Sequence, residues 1–445
     1  MAEKTIAQRG LAWQKMAPEW ALIDDLMGGT SAMRQAGLRW LPREQAESWD
    51  AWRRRLDRTV LFNGFARTVQ ALAGRPFVEP VQLAGGADAQ QALAANIDGN
   101  GMELAEFARH LLLALLTDGI THIQLDRPKE GGPVYFIHRR ARQLIGQRLD
   151  ERGAPSQIRL SESRVQEKGG YGEELTEIIR YFSAERWEVW QAQPGWRGGW
   201  RMTESGPHNL GRVPLVSLNA NPSGPLTARP PLSDLAWLNL AHWQSSSDQR
   251  HILHVARVPL LFGRNLQIGS GELEIGPNRL ILTDDPAAEL KFVEHSGAAI
   301  EAGRQDLIDL EDKMAVMGLE MLSRPQAGPV TATARKLDAA QNHAALAGIL
   351  QALRSGLNQA FALAALWSGL PAGQAGRVEI SQHWGLRDEV SAMADWLLQA
   401  RMAGEIDRET FLAEVSRRGL IDFSHSANAG QGRDQTPKPK QETDR

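Results

Sequence analysis

Cysteine is absent from this chain of 445 residues. That excludes disulfides, cysteine-ligated zinc, iron–sulfur clusters and thiolate nucleophiles, and it fits a reducing compartment. A strong charge of one sign is also missing. The 50 Lys and Arg nearly balance the 53 Asp and Glu, for a formal net charge of −3, which argues against a protein that coats nucleic acid by bulk positive charge. Long apolar runs are missing too. Leu111–Leu116 is among the longest, far below the roughly 18 residues of a membrane span. The first twenty residues hold no apolar h-region, so neither a secretory leader nor a membrane segment is expected. Tyrosine numbers only 3 while tryptophan reaches 14. Indole rings bury large surfaces and suit wide contacts between subunits.

What remains is ordinary for a folded chain: 42% apolar and 23% charged residues, with a length that suggests about three modules. Residues 1–44 are mixed, with Gly28-Gly29 and Pro42 as breakers. From Gln45 to Leu72, the residues Trp49, Trp52, Leu56, Val60, Phe62 and Val69 recur at near-helical spacing and predict one helix. The Arg53-Arg54-Arg55 run with Arg58 reads as its solvated face beside Asp50 and Asp57. A turn at residues 97–101 leads to an amphipathic helix, Met102 to Leu116, closed by Gly119.

The texture then changes. Thr121–Leu125, Val134–His138, Gln157–Val165, Leu175–Phe182, Trp187–Gln191 and Val213–Leu218 alternate between glycine turns and predict an antiparallel sheet. After the breakers Asn221–Pro225 and Pro230-Pro231, a helix runs from Ser233 to Ala256, about 36 Å long at 1.5 Å per residue. Its middle, Gln244–His251, is polar almost all round, which predicts a helix bridging solvent or facing a polar channel. Strands at Val258–Phe262, Leu280–Thr283 and Glu289–Glu294 form a compact insertion. A second long helix, Ala298–Met321, carries a seam of Ile300, Leu307, Leu310, Met314, Met317 and Met321. A Pro/Gly loop, Ser323–Thr333, precedes a third long helix from Ala334 to Ser368. A strand at Val378–Gln382 and helices at Arg387–Ala403 and Asp407–Arg418 follow, and the polar residues 425–445 read as disordered.

Few motifs carry chemistry. There is no GxxxxGK[ST], HExxH or GxSxG, and Gly99-x-Gly101 lacks the third glycine of a dinucleotide fingerprint. His242, His251 and His254 lie on one helix with thin carboxylate support and read as polar helix surface rather than metal ligands. One set could serve catalysis. Asp284 or Asp285, with Glu289 and Lys291, could hold Mg²⁺ and orient a water in a nuclease, although only a tight turn separates the two elements. The stripe Asp306, Asp309, Asp312 reads as a solvated or channel-facing acidic face.

The order of elements is more informative than any motif: a β-rich region, a long helix, a small β insertion, a second long helix, a Pro/Gly loop and a third long helix. The helix opening at Ser233 (SDLAWLNLAHW) and running into Arg257–Gly263 (RVPLLFG) resembles a stem helix entering a clip strand. Ala332–Lys336 (ATARK) resembles the start of a helix behind a tunnel loop. Ile380–Trp384 (ISQHW), then Ala403–Leu412 (AGEIDRETFL), resembles a crown-like end, and Leu41-Pro42, Ala66–Val69 and Gly74–Phe77 add to the likeness. Over most of residues 40–424 the chain resembles the portal proteins of tailed bacteriophages.

The resemblance implies an α+β protomer that assembles as a ring. Residues 1–222 would form a mixed α/β wing, 233–257 the first stem helix, 258–297 a small β clip and 298–321 the second stem helix. Residues 322–333 would be the tunnel loop, 334–375 a long wing helix, 376–424 a helical crown-like region and 425–445 a disordered tail. It further implies a ring, typically of twelve subunits, at one capsid vertex of a virion assembled in the host bacterial cytoplasm. Double-stranded DNA would pass through it. Its partners would be the large terminase, the major capsid and scaffolding proteins, and later the head–tail connector. No catalytic residue, cofactor, metal or membrane is implied. Asp306, Asp309 and Glu320 would face the channel, with Arg304 and Lys313 nearer salt bridges between subunits. Arg324, Pro325, Gly328 and Thr331 would sit in the tunnel loop, Arg324 best placed for a transient phosphate contact. Two other readings compete: the Mg²⁺-dependent nuclease on Asp285, Glu289 and Lys291, and a capsid adaptor or minor head protein, which would be shorter and lack paired stem helices.

Overall fold

The computed structural model describes residues 5–128, 131–193, 199–257, 260–265, 285–293, 297–319, 332–380, 396–408 and 410–411. The chain divides into two compact units, residues 1–380 and 381–445. In the second, residues 396–402 are helical, Gly404 takes φ +78° behind them, and the Asp407 carboxylate accepts the Thr410 N–H as a helix cap.

The first unit opens with α1 (Leu11–Met27), α2 (Gly29–Ala36), α3 (Trp49–Arg58) and α4 (Gly64–Gly74). The single helix expected over Gln45–Leu72 is therefore two. Ser48 Oγ caps α3 by accepting the Ala51 N–H, and Asn63 Oδ1 caps α4 by accepting the Ala66 N–H. Between them Thr59 is extended, and Val60 and Phe62 stay exposed rather than facing inward. Their helical spacing was a coincidence across a break.

β1 (Gln82–Ala84) and α5 (Asp88–Ala95) lead to α6 (Leu104–Asp118). Gly119 ends α6 at φ +76°, and a Cβ there would lie 2.7 Å from the Arg229 carbonyl oxygen, so the sharp entry into β2 (Ile120–Asp126) requires glycine. β3 (Tyr135–Arg140), β4 (Leu144–Leu149), β5 (Pro155–Lys168), β6 (Gly172–Ser183), β7 (Arg186–Ala192), β8 (Trp200–Pro207) and β9 (Leu215–Asn219) follow, then the short β10 (Pro222–Gly224) and β11 (Thr227–Ala228). The β-rich region is antiparallel, as expected, but forms two main sheets: β3-β2-β9, and the meander β4-β5-β6-β7-β8.

The remaining elements are α7 (Ser233–Ala256), β12 (Leu260–Arg264), β13 (Glu289–Val293), α8 (Ala298–Leu319), α9 (Ala332–Trp367) and β14 (Arg377–Glu379). β14 pairs antiparallel with β1 and so ties residue 378 back to residue 83. The strand expected at Leu280–Thr283, the loop Ser323–Thr333 up to residue 331 and the tail 425–445 lie outside the described residues.

The core gathers where α6 and α9 cover the three-stranded sheet. Phe107, Phe136 and Phe361 meet in tilted and edge-to-face contacts, with ring centroids 6.2 and 5.4 Å apart, all fully buried. A second core under the five-stranded sheet joins Leu144, Ile158, Leu160, Phe182, Val213 and Leu215, with Trp187 packed against it. α1 is fastened to this body by Asp24, which pairs with Arg140 and Arg142, and by Trp20. Asp118, fully buried at the end of α6, receives Arg140 at 2.7 Å and Arg142 at 2.8 Å, while Trp20 donates to its backbone oxygen. Burial pushes the Asp118 carboxyl upward against those cations, and burial lowers Arg142 to about 10.

Candidate functional site: the paired long helices and their polar seam

α7 and α8 form an antiparallel pair. Gln249 Nε2 donates to the Ile300 carbonyl at 2.8 Å, Ser245 Oγ donates to Asp306, and His242 Nε2 meets Glu311 Oε1 at 3.2 Å. Each step back along α7 is thus a step forward along α8. Gly303 allows the approach, because a Cβ there would lie 2.1 Å from Gln249 Oε1. The same register continues through the strands: Leu260 pairs with Val293 and Arg264 with Glu289. The segment α7-β12-β13-α8 is therefore one extended hairpin, with helical limbs of about 36 and 33 Å and a β ribbon at their far end.

The polar middle of α7 does not bridge solvent. Ser246, Ser247 and Gln249 are buried, with Ser247 only 1% exposed. Small polar side chains let α3 and α4 come close and leave their backbone groups bonded rather than stranded. Asn239 Oδ1 accepts the Phe65 N–H at 2.9 Å, while its Nδ2 donates to the Phe62 carbonyl at 2.8 Å. Gln244 donates to the Trp40 carbonyl, and Thr59 Oγ1 donates to Ser247 Oγ at 2.9 Å. A polar helix face packed on protein explains how α7 can lack an apolar stripe and still be held.

Arg55 is the strongest member of this seam and the largest departure from the expected solvated face. Arg53 and Arg54 are exposed, but Arg55 is only 4% exposed. Its five N–H groups all have acceptors. Nε and Nη2 form a fork on Glu47 at 2.9 and 2.8 Å, Nη2 also reaches the Pro42 carbonyl at 2.9 Å, and Nη1 reaches Ser247 and Asp248, both at 3.3 Å. This bidentate fork is the geometry that favours arginine over lysine. The Arg55 hydrogen bonds hold the Glu47 carboxyl below its ordinary range, and Glu47 in turn raises the Arg55 guanidinium. Partial burial pushes Asp248 upward. The knot joins the loop before α3 to the middle of α7. Its only sequence signal was the Ser245-Ser246-Ser247 run opposite an arginine cluster.

The other residues singled out from sequence fall as follows. On α8, the described charges are Glu301, Asp306, Asp309, Glu311 and Asp312 against Arg304 and Lys313, all exposed. Arg304 is bonded to Glu301 one turn before it, and Asp309 accepts from Gln305 at 2.7 Å. Met314 of the expected seam is buried and Leu307, Leu310 and Met317 are half-buried. Glu320, Arg324, Pro325, Gly328 and Thr331 lie outside the described residues, as does Asp284. Of the nuclease set, Glu289 is paired with Lys291 at 2.8 Å and Asp285 Oδ1 accepts the Ala287 N–H of a turn. Among the described residues no three His, Asp or Glu side chains gather closely enough to hold a metal, and none of their helices is long and apolar enough to cross a membrane. His251 Nδ1 lies 3.4 Å from Arg58 Nη2.

A family model described as a domain of unknown function (DUF4055) matches residues 231–368, the stretch from the start of α7 to the end of α9. No curated protein matches the chain. Among solved structures, the chain is similar to one in the "Neck of native GTA particle computed with C12 symmetry", with 14% identity, a TM-score of 0.47, and coverage of 86% of this chain and 98% of that one. It is similar to a chain in the "Neck of empty GTA particle computed with C6 symmetry", with 14% identity, a TM-score of 0.46 and coverage of 82% and 88%. It is also similar to a chain in the "Virion of native gene transfer agent (GTA) particle", with 14% identity, a TM-score of 0.44 and coverage of 77% and 86%.

Proposed function

We propose that this chain is the protomer of a phage portal: a ring, of about twelve copies in the resembled family, at one capsid vertex, through which double-stranded DNA enters and leaves. The observation that carries this reading is the extended hairpin α7-β12-β13-α8. Two rod-like helices in register, ending in a small β ribbon, are suited to a tubular stem with a clip at its end. Rotated copies of such a rod enclose an axis without needing any catalytic centre. In this role the chain hydrolyses nothing itself. Its clip docks the large terminase during packaging and the head–tail connector afterwards, within an assembly built with the major capsid and scaffolding proteins in the bacterial cytoplasm.

The charge of α8 supports the same reading. A duplex in transit must not be gripped, because each phosphate contact made and broken rearranges condensed counterions. A cationic lumen would act as glue. Five carboxylates against two cations on the described length of α8 give a wall that repels the backbone, with Asp309 facing the channel as expected and Asp312 taking the place of Asp306, which accepts from Ser245 on α7. Arg324 in the tunnel loop is the candidate for transient phosphate contact.

Negative-stain images of the purified full chain test the assembly, with rings around a central hole expected. Filled globular particles at every concentration would overturn it. Metal-dependent cleavage of plasmid DNA, abolished by Glu289→Ala, would overturn the absence of hydrolysis. Packaging that is unchanged in Arg324→Ala phage would remove the role of that side chain.

A further inference from the structure

The strands β5 and β6 are longer than the sheet that holds them. β4 pairs only with residues up to Leu160, and β7 only with residues from Ile178 onward. Beyond those points Ser163–Lys168 and Gly172–Glu177 pair with each other alone, as an arm about 20 Å long at 3.3 Å per residue. Both edges of the arm are open and nearly every residue on it is exposed. A lone two-stranded ribbon is marginal in water.

This one carries features that make it worse. Val165 and Leu175 sit directly opposite each other, 55% and 66% exposed, and Tyr171 at the tip is fully exposed. One pair further out on the same face, Glu167 stands directly opposite Glu173, and on the inner side Glu177 stands opposite Ser163. Like charges directly opposed across a ribbon destabilise it. The opposite face has bonded partners, with Lys168 bonded to Glu174 at 2.7 Å and Thr176 to Gln166 at 3.1 Å. The arm thus carries Arg164, Lys168 and Glu174 on one side and, on the other, presents an apolar pair ringed by three carboxylates that pair with no cation among the described residues.

A surface of the opposite kind lies elsewhere on the chain. Trp49 on α3 is 55% exposed, Arg43 covers its ring at 5.0 Å, and Arg53 stands one turn along on the same helical face beside Arg54. Asp50 and Asp57 flank it.

We propose that the acidic–apolar face of the β5–β6 arm docks on the Trp49–Arg53 surface of a second copy of this chain. A tip on one copy and a receptor elsewhere on the next make a head-to-tail contact, the type that closes into rings when the rotation allows. The cations relieve the Glu167–Glu173 opposition, and the indole covers Val165 and Leu175. This inference rests on the ring reading above and assigns the contact that holds neighbours together.

The test is assembly of the full chain, followed by mass photometry and negative stain, with far-UV circular dichroism to confirm folding. Glu173→Lys places opposite charges across the ribbon, so it stabilises the arm in the protomer. Its weakened docking nevertheless raises the concentration needed for half-assembly tenfold or more. The triple change E167R/E173R/E177R abolishes rings at concentrations where the natural chain forms them, and adding R53E/R54E restores them. Rings that form unchanged with the triple change would overturn the arm's role, and rings lost but not restored by the swap would overturn its receptor. If the natural chain itself never forms rings, the ring reading falls, and the arm proposal with it. That outcome is told apart because the unmodified protein already fails.

Discussion

Removal of the Arg55 guanidinium separates the account of the polar seam from a list of surface contacts. Arg55 gives all five of its N–H groups to acceptors, and its main partner Glu47 has a side chain only 9% exposed. In Arg55→Met the stem still fills the space, but a buried carboxylate loses both bonds of its fork and Ser247 loses a donor. Breaking a buried ion pair from one side costs about 3–5 kcal/mol. Arg55→Lys keeps the charge but supplies three donors in place of five, without the planar fork, so about 2–3 kcal/mol is expected from the lost charge-assisted bonds. Arg53→Ala and Arg54→Ala, close to Arg55 in sequence but exposed, should stay within about 0.5 kcal/mol.

Urea unfolding followed by tryptophan fluorescence reads these differences, since Trp52 and Trp40 flank the knot. A companion Glu47→Gln should recover part of the loss in Arg55→Met, because the uncompensated charge is then gone. The acid limb adds a signature. A carboxyl held below its ordinary 4.5 contributes stability that is present above that value and lost as pH falls through the lowered one. That component should vanish in Arg55→Met. A loss below about 1 kcal/mol in Arg55→Met, equal to that of Arg53→Ala, would refute the reasoning, since a buried unpaired carboxylate is held to cost about 3–5 kcal/mol.

Other consequences follow from single contacts. Burial lowers His122 to about 3 and His138 to about 4, both below the 6.5 of an exposed imidazole, so the unfolded chain binds protons that the folded one refuses. Stability is then full above pH 6.5 and falls as pH drops toward 4, by roughly 2 kcal/mol for each histidine at pH 5; denaturation at pH 7 and 5 in His122→Gln against the natural chain checks the sign. On α9, a Cβ at Gly356 would meet Leu218 at 2.3 Å, whereas at Gly348 nothing lies within 4 Å. Gly356→Ala should destabilise by about 1–3 kcal/mol and Gly348→Ala should stabilise by about 0.5–1 kcal/mol, opposite signs for one substitution on one helix, read by thermal unfolding. Asn239→Leu strips the Phe65 N–H of its acceptor and the Phe62 carbonyl of its donor, and should cost about 1–3 kcal/mol by the same assay.

The long helices and most strands were legible because each keeps one period over many residues. α7 was legible from Ser233 to Ala256, and α6 to within a turn, since Gly119 and Pro230-Pro231 punctuate them. What escaped did so for identifiable reasons. The break between α3 and α4 was hidden by Val60 and Phe62, apolar residues that happen to continue the helical spacing while lying exposed in extended chain. β4 carries Gly146 in its middle, and β8 is exposed along nearly its whole length, so neither alternates. α1 contains Pro18, which reads as a breaker. The polar seam was invisible in kind: hydropathy ranks Ser247, Gln249 and Arg55 as surface, and only partners distant in sequence, 192 residues apart for Arg55 with Ser247 and 51 for Gln249 with Ile300, make them interior. The acidic bias of α8 could be read from the chain alone, but the pairing of α7 with α8 residue by residue could not.

Electron cryo-microscopy of the assembled full chain is the most direct measurement of the central claim. It should find α7 and α8 side by side in every subunit, the β12–β13 ribbon at their common end, and the Asp309–Asp312 side of α8 turned to an axial opening wide enough for a duplex. A closed particle with no opening, or a ring in which α8 faces away from the axis, would contradict it.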